Sequence, residues 1–214
     1  MPNKPTITVA ENGPYIVKDC PTLRGMMDGK TYQTGETTAL CRCGGSQNKP
    51  FCDGTHARIG FGGAKDHDRV PDHRDNYQGD GIEIHDNRGI CAHAGRCTDG
   101  LPEVFRLKKE PFVDAKAEPA DKIAATIQQC PSGALSYSMD ERARGDADSE
   151  PVVAIVPNGP YAIRGDTELI HAEWLEGASR DRFTLCRCGK SKNKPFCSGA
   201  HWDHQFDEHA PKRP

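Results

Sequence analysis

Residues 41–56 read CRCGGSQNKPFCDGTH, and residues 186–201 read CRCGKSKNKPFCSGAH. Twelve of the sixteen positions are identical, and each potential ligand keeps its place: Cys41, Cys43, Cys52 and His56 return as Cys186, Cys188, Cys197 and His201. Two copies of Cys-x-Cys-x8-Cys-x3-His form a strong metal-site signal. Soft thiolates with one imidazole select zinc or iron–sulfur chemistry over hard cations. Cys91, Cys97 and Cys130 make a third set of three, so function in this chain begins at three metal centres.

The repeat extends outward from the ligands. Asn12-Gly13-Pro14-Tyr15 precedes the first set and Asn158-Gly159-Pro160-Tyr161 the second, while Phe61 and Phe206 each follow the histidine by five residues. Apolar β-formers flank both Gly-Pro turns: Ile7 and Val9 before the first, Val153, Ile155 and Val156 before the second. This pattern predicts a strand, a turn and a second strand ahead of each cysteine loop. Two small β-rich modules result, at about 5–61 and 151–206.

The stretches 62–76 (GGAKDHDRVPDHRDN) and 140–150 (DERARGDADSE) are charged, lack apolar periodicity and read as linkers or surface loops. Between them, Gly81-Ile82-Glu83-Ile84-His85 alternates like a strand, with a turn expected at Asp86-Asn87. A helix is predicted over 120–129, with Ala120, Ile123, Ala124 and Ile127 on one face; Cys130 continues that face and Pro131 stops the helix.

Composition fits small modules. The chain has 214 residues, 10 cysteines and a mean hydropathy of -0.73, too polar for one large core and suited to units stabilised by metal. No apolar run approaches a membrane span, and the first residues lack a signal-peptide stretch. The thiols therefore read as reduced, cytoplasmic and metal-bound, with disulfides the alternative. A net charge of -3 argues against generic nucleic-acid binding.

Spelled as Cys-x-Cys-x2-Ser-x3-Pro-x-Cys-Asp-Gly-Thr-His, residues 41–56 resemble the CDGSH iron–sulfur (mitoNEET-like) domain family, with Ser46, Pro50 and Gly54 matching beside the ligands. The resemblance implies a 2Fe–2S cluster in each copy. Cys41 and Cys43 would hold one iron and Cys52 and His56 the other; Cys186 and Cys188, then Cys197 and His201, would do the same. Ser198 departs from the family where Asp53 keeps to it. The family also implies pairing of modules, here in cis across a pseudo-twofold axis.

Replacing one thiolate by neutral imidazole lessens the negative charge of such a site and raises its reduction potential, and the histidine can couple proton to electron. Arg42, Lys49, Arg187 and Lys194 offer cationic compensation. Within the loops the first copy carries Arg42, Lys49 and Asp53, the second Arg187, Lys190, Lys192 and Lys194, so the second is expected to have the higher potential. On residue types alone, Cys3His also matches structural zinc, although zinc sites more often pair cysteines as Cys-x2-4-Cys.

Cys91-Ala-His-Ala-Gly-Arg-Cys97 with the remote Cys130-Pro131 resembles a single-cluster ferredoxin, whose pattern is Cys-x2-Cys-x2-Cys plus Cys-Pro; Ala94 takes the second place. Residues 77–138 resemble the divergent single-cluster ferredoxin domain, marked by Leu101-Pro102-Glu103-Val104-Phe105 and by residues 130–135. Three thiolates suffice for 3Fe–4S; 4Fe–4S needs a further ligand, for which His93 is nearest. The alternative for His93 is a hydrogen bond to sulfur or backbone.

Cys20 reads as a structural or free thiol, and His67, His73, His204 and His209 as solvated. Trp174 and Trp202 read as packing residues, and no triad, carboxylate pair or phosphate loop stands out. The sequence thus describes an α+β chain. CDGSH modules occupy 1–61 and 151–214, linkers 62–76 and 139–150, and a ferredoxin-like unit 77–138. Electron transfer with a redox protein partner is the leading expectation, without a recognisable substrate site, nucleic acid or membrane. The alternatives are a cluster donor to an apo iron–sulfur acceptor, or a redox sensor, and then a zinc-stabilised interaction protein.

Overall fold

The computed structural model describes residues 4–20, 22–139, 142–144 (backbone alone) and 150–210. Strands β1 (Thr6–Val9) and β2 (Tyr15–Lys18) form the hairpin expected around Gly13-Pro14, with Asn12 supplying a left-handed residue at φ 47° in the turn. After β3 (Thr22–Gly25), β4 (Thr37–Leu40) pairs with β2 and runs straight into Cys41.

A second, antiparallel sheet belongs to the middle of the chain: β5 (Asp75–Gln78), β6 (Glu83–Asp86), β7 (Leu135–Met139) and β8 (Arg142–Arg144), in that order. Asp75 and Asn76 lie in β5 and residues 142–144 in β8, within stretches whose sequence reads as linker. Their backbones are recruited by β6 and β7, a pairing that side-chain polarity does not reveal. Residues 140–141 and 145–149 of the second stretch lie outside the described residues. The expected turn begins one residue late, because Asp86 still pairs with Leu135.

Helix α1 (Thr55–Arg58) follows the first cysteine loop; α2 (Arg96–Gly100) and α3 (Ala120–Ile127) belong to the middle unit. Ile123, Ala124 and Ile127 of α3 are buried as the periodicity requires. The helix ends at Ile127, two residues short of expectation, and tight turns from Gln129 to Thr126 and from Cys130 to Ile127 carry Cys130 inward.

The second repeat contributes β9 (Val152–Ile155), β10 (Tyr161–Arg164), β11 (Glu168–Ile170) and β12 (Arg182–Leu185), then helix α4 (Ala200–Asp203). Two strands change places between the repeats. β11 lies parallel to β1, with Leu169 opposite Ile7, and β3 lies parallel to β9, with Leu23 opposite Val153. The sheet orders are β11-β1-β2-β4 and β12-β10-β9-β3, so each outer sheet takes its fourth strand from the other repeat. The exchange covers the open edges of β1 and β9.

Buried apolar residues from Ile7 to Phe196 join in one connected core that includes the middle unit. This differs from the several small cores that composition suggests, because exchanged strands fuse neighbouring interiors. Tyr15 and Tyr161 sit at the join, fully buried, with their rings edge to face at 6.1 Å and 86°. Among the described residues no helix is long and apolar enough to cross a membrane.

Candidate metal centres

Each repeat brings its four donors together as two pairs. Cys41 and Cys43 Sγ stand 3.9 Å apart, Cys186 and Cys188 Sγ 3.8 Å. Cys52 Sγ lies 3.3 Å from His56 Nδ1, and Cys197 Sγ 3.5 Å from His201 Nδ1. With metal–sulfur bonds of about 2.3 Å and metal–nitrogen bonds of about 2.0 Å, a tetrahedral ion has edges of about 3.8 Å between sulfurs and about 3.5 Å between sulfur and nitrogen. Each pair is therefore spaced as one edge of a tetrahedral metal ion would require. Left-handed Gly54 (φ 81°) and Gly199 (φ 77°) turn the chain into α1 and α4, which return the histidines to the cysteines.

The loops are braced alike. Ser46 Oγ donates to the Phe51 carbonyl at 2.6 Å and accepts from Asn48 N at 3.0 Å, and Ser191 repeats both bonds with Phe196 and Asn193. Backbone N–H groups of Gly45, Gly54, Lys190 and Gly199 donate to Cys43, Cys52, Cys188 and Cys197 at 3.4–3.5 Å. Such donors stabilise sulfur-borne negative charge. Only the first copy has a carboxylate brace. Desolvation pushes Asp53 up, but hydrogen bonds from Gln47 N and Thr55 N hold it well below the carboxylate range.

Electrostatics suit a cation. The hydrogen bond from Cys41 draws the Cys43 thiol down to about 6 and drives Cys41 far above the thiol range. In the second copy the roles swap: Cys186 falls to about 6 and Cys188 rises. The retained proton thus belongs to the pair. A metal ion in its place lets both sulfurs carry charge. Burial pushes Cys197 up to about 12, with Cys186 and Cys91 adding repulsion. His201 is lowered to about 4 by burial, then by the charges of His93 and Arg187, and so presents a neutral imidazole.

Arg42 and Arg187 do not compensate the sulfurs directly, as the sequence suggests; they point to the other side of the loop. Arg42 donates to the carbonyls of Ala10 and Gly63, with Tyr15 and Phe61 at 5.5 and 5.6 Å. Arg187 donates to the carbonyls of Gly159 and Val156 and to Glu208, with Tyr161 and Phe206 alongside. Alternation between successive residues forces this, since two inward cysteines leave the residue between them facing away. The arginines lock the Asn-Gly-Pro-Tyr turn and the trailing phenylalanine to the loop, which accounts for the repeat beyond the ligands. Lys194 does lower Cys186, though it is the last of the causes.

Cys91, Cys97 and Cys130 line one cavity of about 300 Å³. Burial, with mutual repulsion, pushes Cys91 up to about 11 and raises Cys97. His93 lines the cavity too; its left-handed backbone (φ 53°) brings its N–H to Cys91 Sγ at 3.4 Å. Asp86 was not legible as a site residue. Its side chain is 2% exposed, Oδ1 has no hydrogen-bond partner, and Arg88 is no nearer than 3.8 Å. It lines the same cavity, and burial raises its carboxyl to about 6. The period-two pattern of β6 was the available signal, as it places Asp86 on the face of Ile82 and Ile84.

Comparison with known proteins agrees with this layout. The family described as "Iron-binding zinc finger CDGSH type" matches residues 12–57 and again 158–202. The family described as "Divergent 4Fe-4S mono-cluster" matches residues 77–140. The chain belongs to the CDGSH iron–sulfur family, with a divergent mono-cluster domain between its two copies. It is also similar to the uncharacterized protein YjdI of Escherichia coli, strains K12 and O157:H7. The identity is 36% over 61 residues, covering 28% of this chain and 80% of YjdI.

The two CDGSH copies are linked and yet unequal. Tyr15 Oη donates to the carbonyls of Cys186 and Pro195 at 2.9 Å, and Tyr161 Oη to those of Cys41 and Pro50 at 3.0 and 2.9 Å. Each CDGSH loop is therefore held by the tyrosine of the other. Cys52 and His56 are half-buried, whereas Cys197 and His201 are buried. Cys20 is a half-buried thiol that burial raises to about 11, apart from all three sites.

Proposed function

We propose that this protein transfers electrons, with a 2Fe–2S cluster at each CDGSH site and a third cluster in the cavity of Cys91, Cys97 and Cys130. The outer modules act as an intramolecular pair, a reading supported by the strand exchange and the crossed tyrosines. The third cluster is 4Fe–4S where His93 or Asp86 supplies a fourth ligand and 3Fe–4S where neither does.

The observation that carries the proposal is the pairing of donors. Each CDGSH loop offers two metal edges, and among the described residues no three His, Cys, Asp or Glu converge as one ion would require. That favours a two-metal cluster over a single zinc. Such clusters supply one-electron chemistry at potentials set by charge, hydrogen bonds and exposure. The chain does the rest: Cys41, Cys43, Cys186 and Cys188 bind from buried positions, backbone N–H groups steady the sulfurs, and the His56 ring lies half-buried at the edge of its site. None of the ten cysteines is paired in a disulfide, and holding nine of them for clusters goes with a reducing compartment such as the cytoplasm and a redox protein as partner.

Iron and sulfide analysis with electron paramagnetic resonance tests this directly. Reversible reduction without iron loss is expected; a colourless protein with stoichiometric zinc overturns it. The half-buried Cys52–His56 edge favours a second reading, cluster donation. Donation requires transfer to an apo iron–sulfur acceptor, slowed in His56→Cys.

A further inference from the structure

The two CDGSH sites differ in what stands on their histidine edge. A Cβ added at Gly54 would meet no atom within 4 Å, whereas one at Gly199 would stand 2.6 Å from Cδ2 of His93. Asn48 is exposed, but its counterpart Asn193 is 1% exposed and donates to the Gly89 carbonyl at 2.6 Å. Arg182 donates to the carbonyls of Gln128 and Leu135, and Asn87 to that of Glu176. The middle unit is thus docked on the second repeat, over the edge that stays open in the first. The two CDGSH loops in turn meet each other. A Cβ at Gly44 would lie 2.5 Å from the Cys188 carbonyl oxygen, and one at Gly189 would run into that of Cys43.

We infer that the second CDGSH site is the internal station of a three-site relay, joined to the middle site where His93 covers Gly199 and to the first site where the Gly44 and Gly189 backbones meet. This rests on the electron-transfer reading above. Electron transfer falls off steeply with separation, so the order of contact sets the order of passage. One electron leaves a one-electron donor protein at an end site, oxidising it. The electron then crosses the second site and reduces a one-electron acceptor protein at the other end, leaving all three sites as they began. Exposure fits these roles. The middle site keeps Cys91 and Cys97 half-buried and the first keeps Cys52 and His56 half-buried, while all four donors of the second, Cys186, Cys188, Cys197 and His201, are buried.

The test uses the iron-loaded full chain and three variants, each lacking one site: Cys41→Ser with Cys43→Ser, Cys91→Ser with Cys97→Ser, and Cys186→Ser with Cys188→Ser. Spin–spin splitting of the fully reduced resonance signals is expected without the first site and without the middle one, and its loss is expected without the second. Splitting of equal strength in the variant without the second site overturns the order. The unmutated protein gives an independent reading if a variant does not fold. A soluble gadolinium chelate should speed the relaxation of one histidine-ligated signal and spare the other; equal relaxation of both overturns the internal placement. Reduction that strips iron from the unmutated protein would instead overturn electron transfer itself, and is read from iron content rather than from splitting.

Discussion

His56 and His201 turn Nδ1 to a thiol at 3.3 and 3.5 Å, and that choice of atom follows from a one-turn helix starting at a left-handed glycine. His56→Cys and His201→Cys should keep iron but lower both potentials, because a thiolate adds negative charge where imidazole adds none. In His201→Cys the pH dependence should flatten as well, because the ring that burial lowers to about 4 is gone. Redox titration across pH checks this, and unchanged potentials in both variants remove the histidines from the ligand sets. Asp86 carries a second prediction. Its carboxyl, raised to about 6 by burial, holds its proton to higher pH than in the unfolded chain. The metal-free fold therefore loses stability as pH rises from about 4 to about 6, and the cost is complete above that. At ~1.4 kcal/mol per pKa unit it amounts to about 3 kcal/mol at neutral pH. Asp86→Asn should raise the urea midpoint of metal-free protein at pH 7 and flatten its slope between pH 4 and 6. An unaltered slope would assign the pH dependence to another group. The eight candidate donors of the two CDGSH loops were legible because the sequence writes them twice. Asp86 and the outward arginines were not, since their roles depend on which face of a strand or loop they occupy.

The hairpins β1–β2 and β9–β10 were legible from their Gly-Pro turns and flanking Ile and Val, as was the buried face of α3. The exchange of β3 and β11 was not. Thr22–Gly25 and Glu168–Ile170 are four and three residues long, too short for periodicity to identify. Their partners lie far away in sequence, so no turn signal links them. The crossing makes a prediction at the level of elements. Tyr15 serves the carbonyls of Cys186 and Pro195, and Tyr161 those of Cys41 and Pro50. Phenylalanine at either place takes the hydroxyl donor from the buried Cys186 or Cys41 carbonyl, at about 1–2 kcal/mol, while the Pro195 and Pro50 carbonyls keep their bonds from Cys186 N and Cys41 N. Tyr15→Phe should hasten iron loss to a chelator from the second site, and Tyr161→Phe from the first. If each substitution loosened the site of its own repeat, the loops would not depend on the exchanged arrangement.

Across the whole molecule, the fold revises the charge pattern that the two loops carry in sequence. The second loop has the larger excess of basic residues, which taken alone raises its potential. Glu208 meets Arg187 at 2.7 Å, however, and neutralises one of those cations, while Arg42 bonds to backbone carbonyls. The middle unit then sets further thiolates beside the second site, and the charge of Cys91 is felt at Cys197. Negative charge added at the middle site therefore opposes reduction of the second site more than that of the first, and burial limits the screening by salt. Removing the middle site with Cys91→Ser and Cys97→Ser should raise the potential of the second CDGSH site and leave that of the first nearly unchanged. Redox titration at low salt, followed by resonance signals, reads both values in one experiment. An equal rise at the two CDGSH sites would mean that the middle charge acts through the whole core rather than across the His93–Gly199 contact. No change at either would mean that hydrogen bonds from backbone N–H groups dominate the potentials. A rise confined to the second site places the basic lysines of its loop as compensation for a neighbouring negative centre, a role that neither repeat reveals when read by itself.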